Sequence, residues 1–322
     1  MNSPMDNGNQ IHRLGKAQDE ADRHSLAQQE ETELLPPAER DRPWADLGND
    51  ALTEVFSRLS LEEKLRTVPI VCKGWRNATL EPACWRNVDM EEWFEKRVQA
   101  DYWWEFECEP IVERLVMKAV DLSCGQLEEL RTRHCTDPAL DYIAERCPCL
   151  TVLSIPTSLF VTDGSVANLA PSCPKLKALD VSDCYNISNQ ALAAVGQNCK
   201  SLAWLSRNMV DRDLVRANLD PAKRLTPGSH LPGGDEEAIV VSKHMANLKH
   251  LEMMKTSLSN KGLAHLARGC GQLQTLNLAC CTDLSPEALD RVSAKCPNIV
   301  EFTKPITPRM HVDSNLLRIL FG

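Results

Sequence analysis

Residues 173–205 read CPKLKALDVSDCYNISNQALAAVGQNCKSLAWL, and this stretch decides the fold. Cys173 is followed at the third residue by Leu176, then by Leu179 and Val181. The step of two between Leu179 and Val181 is the alternation of a strand. After a polar turn, Ala191, Leu192 and Val195 fall on one helical stripe, and Cys199 with Leu202 starts the unit again.

The same beginning recurs outward in both directions. It appears as Cys124–Leu127, Cys147–Leu150, Cys173–Leu176, Cys199–Leu202, Cys270–Leu273 and Cys296–Ile299, with Met245–Leu248 in the same role. By subtraction, the steps between leading residues are 23, 26, 26, 46, 25 and 26. A fixed period of this size predicts a solenoid in which each unit buries its apolar side against its neighbours. One strand and one helix per period resembles the leucine-rich repeat in its cysteine-containing form. Cys135, Cys184 and Cys281 mark where three of the strands turn toward their helices, a place for a small buried side chain. About seven repeats over 124–304 predict a short open arc. The long step carries an insertion at 210–236, rich in proline and glycine, which reads as a flexible loop.

Ahead of the repeats the pattern is different. Leu52, Val55, Phe56 and Leu59 form an amphipathic stripe. Ser60 and Glu63 form a capping box that opens a second helix through Leu65 and Val68. Pro69 breaks it, and a third helix carries Val71, Trp75 and Ala78. Leu47, Leu61, Ile70 and Cys72 lie off these stripes, more apolar surface than three short helices can cover. The runs Asp46–Leu59, Val71-Cys72-Lys73-Gly74-Trp75-Arg76 and Pro82-Ala83-Cys84-Trp85 resemble an F-box, with Gly48 where the family has proline.

The resemblance extends over about residues 44–304 to a plant subfamily of F-box proteins with leucine-rich repeats. It implies an α/β fold, with a three-helix F-box (44–90), a linker and capping helix (91–123) and the repeats (124–304). It also implies a substrate-recognition subunit of a Skp-cullin-F-box ubiquitin ligase. The Skp-type adaptor, and through it cullin and RING subunits, would meet Leu47, Gly48, Leu52, Val55, Phe56, Leu59, Leu65, Val71 and Trp75. If Gly48 spoils that docking, the alternative is a repeat scaffold without ligase attachment.

Register puts outward side chains of the strands on one face, where a target protein would bind: Arg131, Arg133, Asp180, Trp204, His250, Glu252, Asn277 and Glu301. Their mixed charges name no target class. The head (1–43) is polar and reads as disordered, and the tail (305–322) carries Leu316, Leu317, Ile319, Leu320 and Phe321.

Several chemistries find little support. The formal net charge of -9 speaks against a nucleic-acid or anionic-lipid surface, and no apolar run is long enough for a membrane span, so a soluble protein of the nucleus or cytoplasm is expected. Fourteen cysteines in an unexported chain of 322 residues read as a structural ruler and not as disulfides. The close pairs, Cys147 with Cys149 and Cys280 with Cys281, fall in separate repeats and do not make a zinc set. His134-Cys135 is the one neighbouring pair suited to a thiol enzyme, but Cys135 has its structural post. Gly233-Gly234 lacks the flanking strand and helix of a phosphate loop. Neither a cofactor nor a metal nor a catalytic residue is therefore expected.

Overall fold

The computed structural model describes residues 47–98, 108–209 and 234–305. The head, the tail from 306 and insertion residues 210–233 lie outside them. The chain divides into two units between Ala51 and Leu52.

Helix α1 (Asn49–Ser57) buries Leu52 and Phe56 and turns Val55 outward. The capping box forms as expected: the Ser60 amide and hydroxyl both donate to the Glu63 carboxylate at 2.9 Å, and the Glu63 amide donates back to Ser60 Oγ at 3.3 Å. These bonds, the backbone one foremost, hold the Glu63 carboxyl below its ordinary value. The second helix is irregular, passing through a π turn (Glu63–Thr67) into a 3-10 turn (Val68–Ile70) that accommodates Pro69. Helix α2 (Lys73–Ala78) starts after Val71, with Cys72 Sγ accepting from the Trp75 amide. Phe56 and Trp75 meet edge to face, with centroids 5.3 Å apart.

A 3-10 turn (Pro82–Trp85) buries Trp85, whose Nε1 donates to the Thr79 carbonyl at 2.7 Å. Lys64 is buried beside it. Its ammonium donates to the Cys84 and Asn87 carbonyls and sits 5.3 Å from the Trp85 ring centroid. Burial pulls the Lys64 pKa down.

Strand β1 (Asn87–Asp89) is an eighth strand that the Cys-x-x-Leu ruler does not mark. It pairs in parallel with β2, Asn87 opposite Glu129 and Asp89 opposite Arg131. After α3 (Glu91–Val98), α4 (Glu109–Ser123) packs against the Trp85 turn and against the helix Asp137–Arg146.

The repeats follow: β2 (Glu129–Arg131), α5 (Asp137–Arg146), β3 (Val152–Ser154), α6 (Asp163–Ser172), β4 (Ala178–Asp180), α7 (Asn189–Asn198), β5 (Trp204–Ser206), α8 (Asp235–His244), β6 (His250–Glu252), α9 (Asn260–Gly269), β7 (Thr275–Asn277), α10 (Pro286–Lys295) and β8 (Glu301–Thr303). All eight strands pair in parallel in chain order, and the buried middle residues Val88, Leu130, Leu153, Leu179, Leu205, Leu251 and Leu276 share one register row. The buried side chains form one continuous core from Leu52 to Cys296.

The cysteines do the job the ruler implied, and all fourteen are free thiols. Cys147, Cys173, Cys199, Cys270 and Cys296 each terminate a helix, and Cys173 and Cys199 point their thiols at the carbonyl of the cysteine one repeat earlier, at 3.4 and 3.5 Å. His134, Thr157, Asp183, Lys255 and Cys280 take positive φ just after their strands. Each is followed by a small buried residue: Cys135, Ser158, Cys184, Thr256 or Cys281. Burial pushes the Cys135 and Cys184 thiols up to about 12.

A second ladder joins the helix starts. The Asp137 carboxylate accepts from the Thr162 amide and hydroxyl, Asp163 from those of Ser188, and Asp235 from those of Ser259. Each acid at the start of one helix thus supports the N-cap of the next. Helices α8 and α9 approach so closely that a Cβ on Gly269 would lie 2.0 Å from the Ser242 carbonyl oxygen. The insertion ends earlier than the composition suggested. Gly234 caps α8 directly, and residues 235 and 236 are helical.

Candidate functional site

Two surfaces stand out from the otherwise closed core. The first is apolar and belongs to the F-box helices. Val55 is 54%, Ile70 78%, Val71 55% and Leu80 57% exposed, values that a folded monomer gives no reason for. Leu47 is also exposed, and a Cβ on Gly48 would meet nothing within 4 Å.

Two adaptor expectations need correction. Leu52 and Phe56 lie inside the core, because residues four apart on α1 share its inward side, Phe56 against Trp75, while Val55 between them faces out. Leu65 and Trp75 are half-buried against the same core, as is Leu59. Leu61, read as surplus apolar surface, is buried. Ile70 and Leu80 were not among the expected adaptor residues. Ile70 follows Pro69 in the 3-10 turn and Leu80 follows α2, so neither belongs to a helical stripe that marks it.

The second surface is the open face of the sheet. The strand residues on either side of the middle position, which is buried in β2 to β7 and half-buried in β8, are partly or fully exposed from β2 to β8, apart from Ser206, which is buried. Register aligns Arg131, Ser154, Asp180, Ser206, Glu252 and Asn277 in one row, and Glu129, Val152, Ala178, Trp204, His250, Thr275 and Glu301 in the other. Trp204 and His250 stack with centroids 4.5 Å apart. Arg133 lies beyond β2 and is engaged by Glu91 through two bonds, at 2.8 and 2.5 Å. Asn277 Oδ1 accepts from the Ala279 amide, and Glu301 is exposed at the last strand. The loop expected to flank Trp204 lies outside the described residues.

The repeat that carries the insertion contains a buried ion pair that the sequence reading passed over. Arg207 occupies the place where Val181, Met253 and Leu278 stand in other repeats, and it is fully buried. All five of its guanidinium N–H groups are used: two on the Glu237 carboxylate at 3.2 and 3.1 Å, and three on the carbonyls of Val181, Cys184 and Ile187 at 2.6–2.9 Å. The reason is local. The Ile155 and Met253 carbonyls receive the thiols of Cys184 and Cys281 from the following repeat, but after Val181 the insertion begins where that thiol would come. Arg207 supplies the missing donors, and an apolar third position replaced by arginine was the available signal.

The fold also brings together a group that spacing does not reveal. Cys108, Glu109 and His134 are half-buried, with ligand atoms within 4.8 Å of one another. Three donors fall one short of a closed structural zinc set. Burial pushes the Cys135 thiol beside His134 up to about 12, the opposite of an activated thiolate. No described helix is long and apolar enough to cross a membrane.

A helical module with uncovered apolar side chains, continuous with a parallel repeat sheet that presents a polar face, defines a modular binding protein. Residues 44–87 match the F-box domain family. Over 262 residues the chain is 37% identical to F-box protein SKIP1 of Arabidopsis thaliana, covering 81% of this chain and 87% of that protein. It is 39% identical over 268 residues to the Putative F-box/LRR-repeat protein 19 of the same plant, with the same coverage of each. Among solved structures, the yeast Rad7 and Elc1 complex covers 92% of this chain and 66% of that chain at 14% identity and a TM-score of 0.38, too slight a likeness to carry weight. The chain belongs to the plant F-box proteins with leucine-rich repeats, a family that generally serves as non-catalytic substrate adaptors of SCF-type ubiquitin ligases.

Proposed function

We propose that this protein docks on a Skp-type adaptor through Val55, Ile70, Val71 and Leu80, and so on the cullin and RING subunits, while the open face of the sheet holds a target protein for ubiquitination and degradation. The observation that carries this reading is the contrast in apolar exposure. In the F-box, four large apolar side chains from 52 to 80 are more than half exposed, whereas among the described repeat residues Val300, beside the last strand, is alone in exceeding half, with Phe160 and Trp204 at 41%. Burying such side chains against a partner is worth about 1.5–3 kcal/mol each. The mechanism is proximity: a held target presents its lysines to a ubiquitin-charged enzyme at high effective concentration, and this chain need not supply a reacting group.

Capture of the full-length protein by a purified Skp-type adaptor tests the reading. The double substitution Val55→Asp and Val71→Asp should abolish capture while leaving the thermal midpoint in place. Undiminished capture would refute the assignment of this surface.

A further inference from the structure

The middle of the open face forms a slot of about 370 Å³, in the size range of side-chain and small-ligand pockets. Its floor is made of small residues, Val152, Ser154 and Ala178. Trp204 forms one wall. His250 is stacked on this ring, and in register Trp204 stands between His250 and Ala178, so the opposite side of the ring borders the slot over a residue too small to fill it. Trp204 remains 41% exposed.

The charges of the slot are unequal in how they are met. Arg131 at the far wall already pairs with Glu129 at 3.4 Å. Asp180 and Glu252 are held by neutral donors alone: Asp180 by the Ser154 hydroxyl and the Ser182 amide, Glu252 by the Ser206 hydroxyl and the Asn208 amide group, both on Oε2. Among the described residues no cation pairs with either carboxylate and no donor meets Glu252 Oε1. By contrast Glu91, Glu129 and Glu237 each have an arginine. The Trp204 indole donates to Ser206 Oγ at 3.0 Å, which ties the aromatic wall to the hydroxyl that orients Glu252. An aromatic face beside two oriented carboxylates that have no counter-ion among the described residues is the complement of a long side chain with an apolar stem and a cationic end.

We propose that this slot receives an arginine or lysine side chain of the target, its stem against Trp204 and its charge between Asp180 and Glu252. The proposal rests on the open face being the target surface, and adds the chemical class of the residue it reads.

The test uses the full-length protein with its Skp-type adaptor bound, and an array of eleven-residue Gly-Ser peptides whose central residue is each of the twenty amino acids in turn. Arginine- and lysine-centred peptides should bind about tenfold more strongly than the alanine-centred one. Asp180→Asn with Glu252→Gln, which keeps the neutral hydrogen bonds, should erase that preference, and lysine at both positions should shift it to glutamate-centred peptides. Preference for acidic or aromatic centres, the same preference in the Asn/Gln variant, or no binding at all would overturn the proposal. Loss of adaptor binding would instead strike the wider reading. Peptides that bind without basic preference yet are lost on Trp204→Ala would leave the open face as the target surface and remove only the cation assignment.

Discussion

The F-box helices and the repeats spend their apolar residues in opposite ways. Repeats close their interior with their neighbours: Leu179 on β4 lies in register between the matching leucines of β3 and β5, and Cys173, Cys199 and Cys296 at their helix ends each find a carbonyl one unit back. The helices from Leu52 to Trp85 bury Leu52, Phe56, Val68 and Trp85, yet leave Val55, Ile70, Val71 and Leu80 outside. A periodic array completes itself, whereas a short helical unit does so only with a partner. The one repeat in which periodicity fails, between β5 and α8, is completed by Arg207 and Glu237 instead.

The sharpest way to break this contrast is at that repeat. Arg207→Ala strands a buried Glu237 and three carbonyls, so denaturant unfolding should show a loss of about 3–5 kcal/mol. Combining Arg207→Met with Glu237→Leu removes the charges but still leaves the carbonyls of Val181, Cys184 and Ile187 short of donors. A remaining loss of about 1–3 kcal/mol is expected, and full recovery would show that the pair is dispensable.

Alkaline titration comes next. Cys135 and Cys184 have thiols raised to about 12, against about 8.5 in an unfolded chain, so the folded state holds the proton more tightly. The stability from each is fully present below about pH 8.5 and is lost as pH rises toward 12, by about 1.4 kcal/mol per pH unit per thiol. Urea midpoints between pH 8 and 11 should therefore fall, and Cys184→Ala should make the decline shallower. An unchanged slope would contradict the buried-thiol account.

Within the F-box, Lys64→Met should cost about 1–2 kcal/mol, since the carbonyls of Cys84 and Asn87 lose their donor. Val55→Asp should move stability by no more than about 0.5 kcal/mol. A large loss there would mean that Val55 is covered by its own chain, and the contrast between the two regions would dissolve.

Much of the array was legible because one residue type marks it at a fixed interval. Seven strands lie where Leu127 to Ile299 and the residues after them foretell. Val88 escaped because β1 has neither a leading cysteine nor a second leucine, only one apolar residue between Asn87 and Asp89. The α1 stripe predicted the helix but not its inward side. Leu52, Val55 and Phe56 all satisfy a helical period, and only burial in the folded core, Phe56 against Trp75, separates the first and third from the second. Arg207 and Lys64 were passed over for a common reason. Long basic side chains read as solvent-facing, and what draws them inside is a set of unmet carbonyls that exists only once the backbone is folded.

Because β1 leaves the Trp85 turn and enters the sheet at once, no joint separates the apolar end from the polar face. From β1 to Trp204 on β5 there are four strand spacings, about 19 Å at the usual 4.7–4.9 Å each. A load gripped at Trp204 would ride at a constant reach from Trp85 in place of swinging on a tether, so which of its lysines are modified would be decided by fixed distance.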